Sequence, residues 1–110
     1  MDRIRVLRKD PGKPWREDVM DNTLDAFQKA VGGYIETVTQ GDKVIVCNEE
    51  GIPLGLERNC SIQGVHFWGP VIVCGRKKDE FADVPIDIRH IQALSFDYMT
   101  PERSLSRETR

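Results

Sequence analysis

The chain has 110 residues, of which 39% are hydrophobic and 31% are charged, as in an ordinary folded domain. Its formal net charge of −2 gives no electrostatic basis for binding duplex DNA, which needs clustered Lys and Arg. No apolar run approaches the roughly 20 residues of a membrane-spanning helix, so we expect no membrane association. We expect a single domain over residues 1–97 and a polar, flexible C-terminal tail over residues 98–110.

The cysteines and histidines do not have the spacing of a metal site. Cys47 and Cys74 lie in apolar strand-like runs, and Cys60 lies in a predicted loop. Because the first residues also lack the apolar stretch of a secretory signal, we predict reduced, structural thiols and a cytoplasmic location. The sequence has no Cys-X-X-Cys spacing, and His66 and His90 are isolated, so we predict neither bound metal nor a cofactor.

The first predicted elements are a hairpin and a helix. Residues 3–8 alternate between polar and apolar, which is the period of a half-buried strand. Residues 15–20 can form a second, weaker strand paired with the first. Asn22 is a favourable N-cap for the helix that follows, and apolar residues at helical spacing predict its buried face. Gly32 is expected to end this helix in the left-handed conformation.

The next two strand-like runs, residues 34–39 and 43–47, are separated by a tight turn at residues 40–42. The second run is almost entirely apolar and β-branched, which predicts a strand inside a sheet. If the two runs pair as a hairpin, the blocks at residues 32–36 and 48–51 lie side by side at its open end. This juxtaposition is the most informative feature of the sequence.

The second half of the chain is less regular. Residues 52–56 alternate but contain a proline, which predicts an edge strand or irregular extended chain. Residues 57–68 show no clear pattern. Residues 71–74 predict a strong strand closed by Gly75, and after a charged loop residues 88–94 predict a short amphipathic helix. The order β(β)αββ(β)βα predicts an α+β fold with two helices on one face of a mainly antiparallel sheet.

A family resemblance becomes visible when several motifs are combined. These motifs are Gln28-Lys29-Ala30-Val31-Gly32-Gly33-Tyr34-Ile35-Glu36, Val46-Cys47-Asn48-Glu49-Glu50-Gly51, Gly55-Leu56 with Asn59, and Gly69-Pro70. Over residues 3–95 the chain resembles the family called domain of unknown function 3846, whose members are small proteins of bacteria and their phages. The resemblance implies a phage or mobile-element setting, and it implies no particular reaction.

The first block offers two candidate binding features. The backbone N–H of Gly33 can approach an anion, although a helix cap explains the same glycine. Tyr34 and Glu36 can hold a base or a sugar by stacking and hydrogen bonding. The alternative is that Ile35 faces the core and these two side chains form a solvated outer face.

The second block offers oxygen ligands. Asn48, Glu49 and Glu50 can coordinate a hard cation together with Glu36, or can support acid–base chemistry if burial separates the pKa values of the carboxyl groups. The alternative is a solvated turn in which Asn48 closes an Asx-type turn. The sequence has no clear nucleophile–base pair, so we predict no catalytic residue.

Two further pairs of neighbouring residues are candidates for partner contacts. Arg58 and Asn59 can meet phosphate or carboxylate groups, although an arginine in a loop is usually solvated. Trp68 and its neighbour Phe67 can anchor a partner if they are exposed, while a core role is equally plausible for one of them.

These features support three functional hypotheses. We favour a small non-catalytic binding protein, encoded by a phage or mobile element, that acts in counter-defence by binding a host protein or sequestering a small nucleotide-like ligand. One alternative is a metal-assisted enzyme that uses Glu36, Glu49 and Glu50. The other is a structural homo-oligomer, in which the apolar runs Val44–Cys47 and Val71–Cys74 leave an edge for a second copy.

Overall fold

A computed structural model describes residues 2–98 of the chain, and its strands and helices confirm the predicted α+β class. The predicted tail, residues 98–110, lies outside the described residues except for Tyr98. The elements are β1 (Arg3–Lys9), β2 (Arg16–Asp21), α1 (Leu24–Val31), β3 (Ile35–Gln40), β4 (Lys43–Asn48), β5 (Arg58–Ile62), β6 (Val65–Trp68), β7 (Val71–Lys77), β8 (Glu80–Ala82), α2 (Ile88–Leu94) and β9 (Ser95–Asp97).

The described strands form two antiparallel sheets. The larger sheet has the order β2-β1-β7-β4-β3, with β8 also paired to β7, and the smaller sheet has the order β6-β5-β9. The apolar runs Val44–Cys47 and Val71–Cys74 belong to β4 and β7, each of which has a paired strand on both sides. The prediction that these runs leave an edge for a second copy is therefore wrong. The main path of the larger sheet ends at β2 and β3, and the short strand β8 is paired on one side to β7.

The larger sheet is buried on both faces, which explains why β4 is apolar at successive positions. Val44 and Val46 pack on one face in a cluster that includes Phe27 of α1. The alternate residues, Ile45 and Cys47, belong to a second cluster on the opposite face. A strand between two covering layers has no solvent-facing side, so alternation between polar and apolar residues is lost.

The second covering layer consists of the smaller sheet and α2. Ile62 of β5, Phe67 of β6 and Ile91 of α2 are buried together in the second cluster. The two helices thus lie on opposite faces of the larger sheet, and the prediction that they cover one face is wrong. The smaller sheet and α2 together cover the face of the larger sheet opposite α1.

The ends of α1 follow two local rules. Thr23 is the N-cap, because its hydroxyl accepts a backbone N–H of the first turn at 3.1 Å. The predicted N-cap, Asn22, instead donates its side-chain amide to the Phe81 carbonyl at 2.9 Å. The C-terminal prediction is confirmed, since Gly32 has φ of 82°, a left-handed conformation that disfavours residues with a Cβ.

Two other local predictions are wrong. Residues 52–56 form turns instead of extended chain, with backbone bonds such as Leu54 N–H to the Glu50 carbonyl at 2.9 Å. Gly75 does not close its strand, because β7 continues to Lys77 in a hairpin with β8. In both segments the hydrogen-bond partner of the backbone decides the conformation, and that partner cannot be read from the local pattern.

A buried polar network joins the two sheets. The Lys9 side chain is only 2% exposed, and its ammonium donates to Asn59 Oδ1 at 2.9 Å and to Asp97 Oδ1 at 2.8 Å. The Asn59 amide nitrogen donates to the carbonyls of Lys9 and Gly69, both at 2.8 Å. The Asn59 side chain therefore connects β1, β5 and the turn before β7. The Lys9 ammonium connects the same network to β9 through Asp97.

Candidate functional site

The two sequence blocks lie at the open end of the β3–β4 hairpin, as predicted. Ile35 pairs with Asn48 in the regular register of this hairpin. The Glu49 N–H then donates to the Tyr34 carbonyl at 2.8 Å, which extends the ladder one pair beyond the strands. The juxtaposition that the sequence indicated is thus confirmed, and the side chains decide what it can do.

Asn48 is a structural residue. It is 5% exposed, and its side-chain oxygen accepts the Glu50 N–H at 2.7 Å, which confirms the predicted Asx-type turn. Its side-chain nitrogen donates to the Val31 carbonyl at 3.0 Å, at the C-terminal end of α1. Because both polar atoms of the amide have protein partners, the prediction that Asn48 binds a ligand is not supported.

Gly33 also has a structural explanation. Its N–H donates to the Gln28 carbonyl at 3.1 Å as part of the helix cap, so this N–H is not free for an anion. A Cβ at this position would lie 2.9 Å from the Asn48 side-chain nitrogen. A Cβ here would have to displace the Asn48 amide, which is held by its bonds to the Val31 carbonyl and the Glu50 N–H, so glycine fits this position best.

The remaining residues of the two blocks border two different cavities. Glu36 and Glu49 line a cleft of about 200 Å³ between the larger and smaller sheets. Tyr34 and Glu50 border a separate cavity of about 270 Å³ beside the end of α1. Tyr34 and Glu36 therefore border different cavities, and their joint action on one ligand stays a prediction.

We call the space between the sheets the interlayer cleft. Strand β3 forms one wall, edge strand β6 forms the opposite wall, and the turn after β4 closes one end. Two carboxylates, one imidazole and one indole ring are set among mainly apolar surfaces. The lining residues are Glu36, Val38, Cys47, Asn48, Glu49, Gly51, Ile52, Pro53, Val65, His66, Phe67 and Trp68.

The interlayer cleft is electrostatically negative at its rim. Glu36 and Glu49 are both exposed, and the described lining residues include neither Lys nor Arg. On the floor, burial raises the pKa of the Cys47 thiol to about 11, with a further contribution from the Glu36 carboxylate. The thiol is therefore protonated at neutral pH, and it is not a ready nucleophile.

Arg58 lies among aromatic rings beside the interlayer cleft. Its guanidinium carbon is 4.0 Å from the centroid of the Tyr98 ring and 5.5 Å from that of Trp68. The Tyr98 hydroxyl is also hydrogen-bonded to His66 Nδ1. These contacts pack Tyr98 against the smaller sheet, and they give the Arg58 guanidinium structural partners.

The polar candidates do not assemble a metal centre. Within residues 2–98, no group of three or more His, Cys, Asp or Glu side chains has an arrangement that could hold a metal ion. Glu50 borders the cavity beside α1, whereas Glu36 and Glu49 line the interlayer cleft. Asn59 is fully buried in the network with Lys9, so its predicted contact with a ligand is wrong.

Sequence reasoning missed part of the cleft. Val38 was detectable, because strand alternation places it on the same face as Glu36. No sequence pattern identified Val65 and His66 as cleft residues, because they belong to a four-residue strand in a region without clear periodicity. Of the two predicted aromatic residues, Phe67 is buried at 3% exposure, and Trp68 is half-buried at the cleft.

The sequence profile of a family described as Domain of unknown function (DUF3846) matches residues 4–95. The chain belongs to this family. No curated protein matches the chain, and no solved structure matches it. Membership of DUF3846 does not specify an activity, so the function has to be argued from the interlayer cleft. In the part of the chain that the structure describes, no helix is long and apolar enough to cross a membrane.

Proposed function

We propose that this domain is a non-catalytic binding protein whose interlayer cleft receives a cationic side chain of a protein partner. The supporting observation is the composition of the cleft: Glu36 and Glu49 at the rim, Trp68 in the wall, and no Lys or Arg among the described lining residues. A Lys or Arg side chain can place its aliphatic stem on Val38 and Val65 and its charge beside the two carboxylates.

The size of the cleft favours a side chain over a nucleotide. Its volume of about 200 Å³ is below the roughly 300–1,000 Å³ of typical small-molecule sites. A phosphate group would also meet the Glu36 and Glu49 carboxylates, and the described lining residues include no Lys or Arg to neutralise it. Among the two classes of ligand that the sequence suggested, a protein is therefore favoured over a nucleotide-like molecule.

The chemistry of the cleft favours binding over catalysis. Nucleophilic catalysis by Cys47 would require a thiolate, and the pKa of about 11 keeps this thiol protonated at neutral pH. The two rim carboxylates are both exposed, whereas a carboxyl pair that divides the acid and base roles needs two unlike environments. The proposal has three further parts. The partner is a host protein, the domain is cytoplasmic, and it acts in counter-defence in a phage or mobile-element setting.

A selection from a peptide library displayed on beads tests this proposal. The wild-type protein is expected to enrich peptides that contain Lys or Arg, and a Glu36→Gln/Glu49→Gln variant is expected to lose that enrichment. Glu50→Gln is the matched control, because it makes the same kind of charge change at the neighbouring residue but borders the other cavity. The proposal fails if the wild type enriches no basic peptide, or if the double variant enriches the same peptides.

A further inference from the structure

Strand β3 is a free edge directly beside the interlayer cleft. Within residues 2–98 the larger sheet ends at β3, whose paired neighbour is β4. The register joins Gln40 to Lys43 across a two-residue turn, and the Glu49 N–H bonds to the Tyr34 carbonyl. In an antiparallel pair, bonded residues alternate, so the even-numbered residues of β3 bond to β4. The backbone N–H and C=O groups of Thr37 and Thr39 therefore point away from β4.

The edge of β3 lacks the features that usually prevent strand addition. Proteins protect edge strands with charges, proline, bulges or a covering segment. The opposite edge strand, β2, has four charged residues in REDVMD. By contrast, β3 reads IETVTQ, has a single charged residue, and pairs with β4 in an unbroken register without a bulge. Thr37 and Thr39 are both exposed.

We propose that the partner binds by strand addition: an extended segment of another protein pairs antiparallel with β3 and directs alternate side chains into the interlayer cleft. This inference rests on the proposed function and specifies its binding mode. In such a complex the main-chain hydrogen bonds of Thr37 and Thr39 give affinity, and the cleft selects the side chains. Antiparallel pairing is chosen because it is the more stable arrangement per residue.

The register predicts the sequence pattern of the added strand. Side chains directly opposite one another lie on the same face of a sheet, so residues opposite Glu36 and Val38 enter the cleft. Glu36 and Val38 bond to β4, so on their free side they form the non-hydrogen-bonded pairs, in which side chains are closest. A basic residue opposite Glu36 and an apolar residue opposite Val38 complement these two positions.

A second copy of this chain is a poorer occupant of the edge. Pairing two β3 strands antiparallel about Thr37 would place Glu36 opposite Val38 and leave both carboxylates without a cationic partner. It would also bring together two clefts that each have Glu36 and Glu49 at the rim. Charge complementarity therefore favours a basic segment of a different protein.

The probe is a capped peptide, Ser-Thr-Val-Thr-Arg-Thr-Ser, added at millimolar concentration to the full chain. Antiparallel pairing places its Arg opposite Glu36, its Val opposite Val38 and its central Thr opposite Thr37. We expect hydrogen exchange at the amides of Thr37 and Thr39, measured by NMR, to slow at least about tenfold on saturation. N-methylation of the central Thr removes a main-chain donor without changing a side chain, and it should weaken binding about tenfold.

A proline variant tests the same edge from the protein side. Thr37→Pro removes an N–H that does not bond to β4, so the strand can keep its pairing while the added strand loses a donor. Thr37→Ala keeps that N–H and is the matched control. We expect Thr37→Pro to abolish protection at Thr39 while Thr37→Ala retains it. The N-methylated peptide gives an independent answer if Thr37→Pro fails to fold.

The outcomes separate the binding mode from the proposed function. Peptide-induced shifts at the Val65 and Trp68 signals without protection of Thr37 and Thr39 would overturn strand addition and leave cleft binding intact. Equal binding of the N-methylated peptide would also overturn strand addition. Concentration-dependent protection of these amides in the free protein would assign the edge to a second copy and overturn the inference. A peptide that perturbs neither edge nor cleft would overturn both this inference and the proposed function.

Discussion

Replacing Asn59 with Ala tests whether a single buried amide holds the two sheets together. Three hydrogen bonds disappear: those from its amide nitrogen to the carbonyls of Lys9 and Gly69, and the one from the Lys9 ammonium to its oxygen. The site is fully buried, so water does not replace the missing partner freely. The Lys9 ammonium keeps its bond to Asp97 at 2.8 Å, so the charge is not left isolated.

The expected cost of Asn59→Ala is about 3–5 kcal/mol, from roughly 1 kcal/mol per lost bond plus the desolvation of two orphaned carbonyls. This is a large share of the roughly 5–15 kcal/mol that stabilises a typical domain. Urea unfolding followed by tryptophan fluorescence measures the change, since Trp15 is buried in the cluster between the sheets. The midpoint should fall while the slope of the transition stays constant.

Asn22→Ala is the matched control for this measurement. Asn22 makes one side-chain bond, to the Phe81 carbonyl at 2.9 Å, and it is half-buried. Its loss should cost about 1 kcal/mol. If Asn59→Ala costs no more than Asn22→Ala, the buried amide does not join the sheets, and the reasoning from its three bonds is refuted.

Three further results are expected. Gly32→Ala should cost about 1–2 kcal/mol because φ is 82°, and an unchanged urea midpoint would contradict this. Stability should fall above about pH 9, because burial raises the pKa of the Cys60 and Cys47 thiols to about 11 and that of Cys74 to about 12. A free energy of unfolding that stays constant from pH 9 to 11 would contradict this prediction. Glu36→Gln should lower the pKa of Cys47, because the Glu36 carboxylate raises it. Alkylation of Cys47 at several pH values, followed by mass spectrometry, measures this pKa. An unchanged pKa in the variant would mean that the carboxylate has no influence.

The sign of the alkaline effect follows from proton binding. Unfolded thiols ionise near pH 9.0, whereas the folded thiols keep their protons to about 11 or 12. Between these values the unfolded state binds fewer protons, so the free energy of unfolding decreases as pH rises. Three thiols give a slope of at most about 4 kcal/mol per pH unit. Burial lowers the pKa of Lys43, so this side chain makes the free energy of unfolding rise with pH. It contributes one proton, which does not cancel the effect of the three thiols.

Local patterns predicted the elements whose environment is set locally. The alternation in residues 3–8 identified β1, and the apolar run at residues 43–47 identified β4 as an inner strand. Gly32 signalled the end of α1 because few other residues adopt the left-handed conformation. Alternation marks β1, burial on both faces marks β4, and backbone sterics mark the end of α1, so each feature leaves a direct trace in residue type.

The smaller sheet could not be predicted because its strands depend on partners distant in sequence. β5 pairs with β9 across more than thirty residues, in the register Cys60 to Asp97, and β9 has only three residues. Arg58 looked like a loop residue, and it lies in a strand because its backbone pairs with that of Trp68 in β6. The interlayer cleft was missed for the same reason, since β6 forms one of its walls.

The structural roles of Gly33 and Asn48 bear directly on how well the interlayer cleft can bind. Asn48 joins the end of α1 to the turn that carries Glu49, through bonds of 3.0 Å to the Val31 carbonyl and 2.7 Å from the Glu50 N–H. Gly33 permits this contact because it has no Cβ. The carboxylate of Glu49 is thus carried on a turn that is fixed before any partner arrives. Because ordering a loop on binding costs free energy, a fixed turn favours affinity. Gly33 and Asn48 were predicted to bind a ligand directly. Their role in the structure is to fix the turn that carries Glu49.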